Sequence, residues 1–239
     1  MRESGDILLV ACYELGHQPL AVAWPAAFLE RAGYRPALLD VSVEPVDPEK
    51  LARARVIAIS VPMHTALRLG LEVAARARAV NPGAHVCFFG LYATLNADHL
   101  FAHGGDSVIG GEAEAPLVAL VEALERGDAG PLPAVARPGQ PAAPHLKRLD
   151  FPVPSRAGLP SIKKYAHVER DGRMELAAYA EASRGCLHHC RHCPIPPVYG
   201  GRFFAVPREI VLADVRQQIE AGARHVTFGD PDFLNGPTH

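Results

Sequence analysis

Short continuous apolar runs alternate with amphipathic stretches through the first half of the chain. Ile7–Ala11, 37–41, Val56–Ser60, 86–89 and Ser107–Ile109 are apolar at nearly every position. Runs of this length, buried on both faces, predict strands of a parallel sheet. Between them lie stretches with helical spacing. Residues 19–33 predict a helix stopped by Gly33, with Pro25 imposing a kink or a late start. Asp47 and Pro48 have the order of a cap and first residue of a short helix. A longer helix follows the third strand, with Leu67, Leu71, Ala74 and Ala75 on its apolar face and Asn81-Pro82-Gly83 as its stop. Residues 112–126 predict another, burying Leu117, Leu120, Val121 and Leu124.

Strands alternating with helices in this way predict an α/β, doubly wound parallel sheet over residues 1–127. Ligands of such sheets bind beyond the carboxyl ends of the strands. Those ends are at 12–18, 61–65, 90–94 and 110–114, and glycines at 90, 110 and 111 permit close approach of a ligand to the backbone. Cys12 and Cys87 are expected to pack as small apolar groups.

The pattern then changes. Residues 128–160 hold eight prolines and almost no apolar periodicity, which predicts an extended linker. From 161 onwards, residues 167–176 predict a hairpin around Asp171-Gly172, leading into a strand at about 177–183. Pro207 opens a helix reaching about Gly222, with Ile210, Val211, Val215 and Ile219 on one face. A last strand, 225–229, ends at Asp230-Pro231-Asp232.

Between the strand near 180 and the helix at 207 lies the densest chemistry in the sequence. Three of the five cysteines fall within eight positions, Cys186, Cys190 and Cys193, spaced C-x3-C-x2-C. Three neighbouring thiols cannot all pair as disulfides, whereas thiolates at this spacing close on a soft metal centre. An iron–sulfur cluster with one iron lacking a cysteine fits. So does a structural zinc site using His188, His189 or His192 as a further ligand.

Composition narrows the class. The net charge of −2 gives no electrostatic case for nucleic acid or an anionic membrane. The 20 arginines against 4 lysines, with abundant alanine, fit coding bias better than a binding face. No apolar run reaches the ~18–20 residues of a membrane span. The acidic start does not resemble a signal peptide, so a reducing cytoplasmic location is expected.

The C-x3-C-x2-C loop after a short apolar run resembles the cluster loop of radical S-adenosylmethionine (radical SAM) enzymes. His192 stands where many members have an aromatic residue. The resemblance implies that Cys186, Cys190 and Cys193 bind three irons of a 4Fe–4S cluster, and that SAM takes the fourth. It implies reductive SAM cleavage to a 5′-deoxyadenosyl radical or a related species, with an electron donor such as a flavodoxin or ferredoxin. Gly229-Asp230-Pro231 resembles the motif that meets the SAM amino group through backbone contacts. The second half is then expected to be the first part of a βα radical SAM barrel.

The first domain resembles the cobalamin-binding domain that precedes the barrel in one large subgroup. Ser60-Val61-Pro62-Met63 stands at its corrin- or tail-facing loop. Phe88-Phe89-Gly90-Leu91 stands at its glycine pair, with the second glycine missing. Gly110-Gly111-Glu112-Ala113-Glu114 resembles its G-E-x-E turn. The resemblance thus places Ser60, Met63, His64, Gly90, Gly110, Gly111 and Glu112 against cobalamin. The D-x-H-x-x-G pattern that supplies a cobalt-ligating histidine is absent around Cys12-Tyr13-Glu14-Leu15-Gly16-His17, so cobalamin is expected to bind without a histidine from this chain.

Only the first βα unit and the second strand of a barrel fall before Pro237, Thr238 and His239. The expectation is the N-terminal portion of a longer enzyme or a truncated product, inactive by itself. Methyl transfer is one expected outcome of the full enzyme. The sequence does not name the substrate. The rival readings are a non-catalytic α/β module with a zinc or iron–sulfur knuckle, and a degenerate product.

Overall fold

The computed structural model describes residues 1–234. The expectation that the chain stops short of a further helix at Pro237–His239 lies outside the described residues. The first unit runs β1 (Ile7–Ala11), α1 (Leu20–Arg31), β2 (Ala37–Asp40), α2 (Pro48–Arg53), β3 (Val56–Ser60), α3 (His64–Val80), β4 (His85–Phe89), α4 (Leu91–Leu95), α5 (Ala97–Ala102), β5 (Ser107–Ile109) and α6 (Glu114–Arg126). Strands β1 to β5 pair in parallel, in the order β2-β1-β3-β4-β5. β1 and β3 are buried at every position because both faces are covered. Ile7, Leu9 and Ala11 face α1 and α6, while Leu8 and Val10 face α2 and α3. Cys12 and Cys87 are fully buried as expected, and burial pushes both thiols up to about 12.

The helices carry local corrections. α1 runs through Pro25 without interruption from Leu20. Asp47 caps α2 as expected, accepting from the backbone N–H groups of Glu49 and Lys50. α3 buries Ala66, Leu67, Gly70, Val73, Ala74 and Ala77, whereas Leu71 is half-buried and Ala75 exposed. Gly70 sits against Ile59 and Phe88, so the helix approaches the sheet along a line centred there rather than on Leu71.

The proline-rich segment is extended and wraps the molecule as a packed strap. β6 (Val135–Ala136) pairs antiparallel with β5 and extends the sheet to six strands. Leu149, Phe151 and Leu159 join the core on the α1 side, and the Trp24 indole N–H donates to Pro152 O at 3.1 Å.

The second unit comprises β7 (His167–Arg170), β8 (Arg173–Ala180), β9 (Ser183–Gly185), α7 (Ile195–Tyr199), β10 (Phe203–Ala205), α8 (Arg208–Glu220) and β11 (His225–Phe228). β7 and β8 form the expected hairpin around Asp171 and Gly172, and β8 pairs in parallel with β11. The strand expected at 177–183 divides: β8 ends at Ala180, and β9 turns away to pair with β10. α8 buries Val211, Asp214 and Gln218, while Ile219 is exposed and Val215 half-buried. Its inner face is polar because β7 ends before Tyr179. Gln218 supplies the missing ladder, accepting from Tyr179 N at 3.0 Å and donating to Tyr179 O at 3.0 Å. Leu212, Ile219 and Phe228 leave an apolar outer surface on this unit.

Candidate cofactor and cluster site

The carboxyl ends of β1, β3, β4 and β5 open towards the second unit. Ser60 ends β3; it is buried, and its Oγ has no hydrogen-bond partner. Met63 is half-buried before α3, and His64 is exposed at the start of that helix. Gly90 follows β4, and its N–H donates to Ile109 O at 3.1 Å. Gly110 follows β5, where a Cβ would run into the side chain of Thr94. The Thr94 Oγ1 is itself buried without a partner. Unsatisfied buried hydroxyls are costly in a finished fold. Two of them, Ser60 at the end of β3 and Thr94 in α4 just past β4, are hydroxyls that polar groups of a ligand at this edge would satisfy. The structure therefore brings Ser60, Met63, His64, Gly90 and Gly110 to one edge of the sheet.

Glu112 behaves differently. Gly110 and Glu112 bracket His145 of the strap, whose N–H donates to Gly110 O while its carbonyl accepts from Glu112 N at 2.8 Å; Gly111 bridges to it between them. The Glu112 carboxylate is fully buried and turned towards the second unit, where Tyr199 OH donates to its Oε1 at 2.8 Å. Burial raises its pKa to about 7, opposed by Arg184 and reinforced by Glu114.

His17 does not stand as a free ligand. Its ring stacks on Tyr179 at 4.7 Å, and burial lowers its pKa. Beside it, Glu14 has a buried Oε1 without a partner. Burial, with the neighbouring Glu181 carboxylate, pushes Glu14 up to about 8.

The three site cysteines lie on one loop between β9 and α7. Cys186 is anchored by its N–H to Arg202 O at 3.1 Å, and its thiol donates to Asp232 at 3.4 Å. Cys190 is exposed and Cys193 half-buried. Among the described residues, no three His, Cys, Asp or Glu side chains are gathered tightly enough to hold a metal ion. The loop thus groups the thiols in sequence without drawing them to a point. Ligand loops of this kind close as metal enters, because binding and local folding are linked. Three soft thiol donors with no disulfide between them suit an iron–sulfur centre.

Gly229 and Asp230 follow β11 beside this loop. A Cβ at Gly229 would overlap the Tyr179 ring, so the close approach of strand end and phenol requires glycine. The Asp230 carboxylate accepts from Ala182 N at 2.9 Å and from Ser183 Oγ, which ties the end of β11 to the start of β9. Its side chain is thus committed to the fold.

Residues not singled out from the sequence complete the site. Arg184, two positions before Cys186, is buried among Glu112, Glu114 and Glu181. Tyr179 OH donates to Glu181 at 3.1 Å. Arg156 of the strap grips Asp214 through two hydrogen bonds of 2.6 and 2.8 Å, both side chains buried. Tyr165 OH reaches Asp40 at 2.8 Å. The only sequence signal for any of them was the pair of carboxylates in the 110–114 turn, since neither spacing nor periodicity distinguishes a buried arginine from a surface one.

Fold and edge define an α/β protein with a ligand-binding sheet edge that continues into the opening strands of a second, barrel-like unit. Residues 7–121 match the B12 binding domain family. The radical S-adenosylmethionine methyltransferase TsrM from Kitasatospora setae, solved with cobalamin and a [4Fe-4S] cluster, superposes with a TM-score of 0.72 at 17% identity, over 97% of this chain and 48% of its own. The same protein with tryptophan substrate and a SAM analogue gives 0.68 at 16% identity, over 95% and 48%. Part of the chain is 36% identical over 68 residues to the tRNA-2-methylthio-N(6)-dimethylallyladenosine synthase of Chlorobium chlorochromatii (strain CaD3), 28% of this chain and 15% of that protein. The synthase of the same name from Desulfitobacterium hafniense (strain Y51) is 41% identical over 54 residues, 23% and 12%. Residues 7–121 thus form a domain of the B12-binding kind, and the fold of both units together is shared with TsrM. The chain spans about half the length of TsrM, and its match covers a smaller part of the curated synthases. Among the described residues no helix is long and apolar enough to cross a membrane.

Proposed function

We propose that this chain is the N-terminal portion of a cobalamin-dependent radical SAM enzyme. The observation that carries the reading is a C-x3-C-x2-C loop that leaves a barrel-like strand and lies against a B12-type domain. Cys186, Cys190 and Cys193 hold a 4Fe–4S cluster, and the Gly229–Asp230 backbone lies against bound SAM. Ser60, Met63, His64, Gly90 and Gly110 face cobalamin, with Gly111 shaping the turn. Cobalamin binds without a D-x-H-x-x-G histidine on cobalt, since that pattern is absent around His17. When bound, the cluster supplies the electron for reductive SAM cleavage, delivered by a flavodoxin- or ferredoxin-type donor. Cofactors bring the demanding chemistry, and the chain positions them and excludes water. Methyl transfer is the outcome in keeping with the cobalamin domain, and the apolar outer surface of α8 and β11 fits further barrel strands. By itself the chain is expected to bind cofactors rather than turn over.

The test uses the chain as it stands. Anaerobic reconstitution should load iron and sulfide, and Cys190→Ala should abolish loading while cobalamin absorbance on binding is unchanged. Equal iron and sulfide in that variant would overturn the cluster assignment. Tight zinc with no iron would favour a non-catalytic knuckle.

A further inference from the structure

Both flanks of the cysteine loop end on the same turn of the first unit. On the leading flank Arg184 lies in β9, two residues before Cys186, with its side chain only 16% exposed. Its guanidinium rests over the Trp24 ring at 4.6 Å and reaches Glu114 Oε1 at 3.0 Å, Glu181 at 3.2 Å and Glu112 at 3.8 Å. On the trailing flank Tyr199 closes α7, the helix that follows Cys193, and its hydroxyl meets Glu112 at 2.8 Å. The strand pair β9–β10 fixes the two flanks to each other, Arg184 opposite Phe204. The loop is therefore seated through side chains on Glu112 and Glu114, in the turn whose first residues, Gly110 and Gly111, lie at the ligand edge of the sheet.

Alternative uses of this arrangement are weak. The guanidinium is enclosed by carboxylates and an aromatic ring, which disfavours an anion site. A purely stabilising clamp would have no reason to converge on one turn from both sides of a metal-ligand loop. Groups that hold the elements bearing metal ligands commonly set metal affinity and ligand geometry.

Resting on the cluster reading above, we infer that Arg184 is a positioning residue that registers the cysteine loop against the Glu112–Glu114 turn, so that the cobalamin edge and the cluster loop move as one piece. Arginine suits this role because its broad guanidinium donates to Glu114 while lying within ion-pair distance of Glu181 and Glu112 and over the Trp24 ring, which the compact ammonium of a lysine cannot reproduce. Arg184 touches neither cofactor and acts through the backbone of Gly185 and Cys186.

The experiment compares wild type, Arg184→Met, Arg184→Lys and Tyr199→Phe after anaerobic reconstitution. Iron retained against a chelator and the electron paramagnetic resonance spectrum of the reduced protein are read, with and without added hydroxocobalamin. Arg184→Met should hold iron about 10-fold more weakly than wild type, with Arg184→Lys between them. In wild type the spectrum should change on cobalamin binding, and in Arg184→Met that change should be lost. Tyr199→Phe removes one hydroxyl and keeps the packing, so it tests the trailing flank if the methionine variant fails to fold. It should weaken the cobalamin-induced change while the melting temperature falls only by what one lost buried hydrogen bond costs. Wild-type iron retention and wild-type cobalamin response in the folded variants would overturn the inference alone. A wild-type protein that takes up no cluster would overturn the parent reading and this inference with it.

Discussion

The two units are held by different forces. The first has a core on each face of a parallel sheet, with β1 and β3 buried at every position and apolar at all of them but Ser60. The second has a small core of its own, Ile162, Ala178 and Ala223; Ala182, Val206 and Val211 join the first unit's core, and polar contacts are added to them: Arg156 to Asp214, Tyr165 to Asp40, Tyr199 to Glu112 and Arg184 to Glu114. Apolar burial is non-directional and tolerant, whereas buried ion pairs fix geometry and are costly to break. The division suits the proposed roles. The first unit is a stable platform, and the second is a set of elements that must be held in register before a cluster can form between them.

The largest test of this contrast is Arg156→Ala. It leaves the buried Asp214 carboxylate without its cation, with only Gln217 and Gln218 donating to it, and removal of one partner of such a pair costs ~3–5 kcal/mol. The loss should be local. Hydrogen exchange should quicken across β8 and α8 while β1, β3 and β4 remain protected. Equal quickening in the first sheet would break the contrast.

The second test is pH. Glu112 and Glu14 are both raised by burial, to about 7 and about 8. Glu112 is faced by Arg184, Glu114, Glu181 and Tyr199, and Glu14 by Glu181, Asp40 and Arg156. A carboxyl whose pKa is higher folded than unfolded binds more protons in the native state. Its contribution is complete below the unfolded value of 4.5 and falls as pH rises through the folded value. The attachment of the second unit should therefore weaken from pH 5 to 8, by an amount on the order of 1–3 kcal/mol. Glu112→Gln should flatten the denaturant midpoint against pH. A midpoint that rises over that range would contradict the assignment.

Gly110→Ala is a smaller perturbation of the ligand edge. The added methyl meets Thr94, and overpacking costs ~1–3 kcal/mol. Cobalamin affinity should fall more than thermal stability, as read by absorbance titration beside a melting curve. The smallest effect is expected at Asp47→Ala, which removes the α2 cap for ~1 kcal/mol. It should lower the melting temperature and leave iron loading unchanged, because that helix lies away from both sites.

The same contrast explains what was legible in the sequence. Continuous apolar runs announced β1 to β5, and the Asp47–Pro48 and Asp171–Gly172 signals placed a cap and a turn correctly. Local physics dominates there. The buried faces of α3 and α8 were misread because their orientation depends on tertiary partners. Gly70 sets the approach of one helix, and the exposed backbone of Tyr179 draws Gln218 inward on the other. The strap's extended course was legible from its prolines, but its anchors were not, because proline removes periodicity; Phe151 and Arg156 bind it to both units. Cysteine spacing located the loop, but nothing local announced that Arg184 and Tyr199 seat it on Glu112 and Glu114.

The central claim is that the cysteine loop holds a cluster with one iron open to SAM. The direct measurement is electron paramagnetic resonance of the anaerobically reconstituted, reduced chain, recorded with and without SAM. The account predicts a 4Fe–4S signal whose shape changes when SAM is added. A cluster signal indifferent to SAM, or no cluster at all, would contradict it.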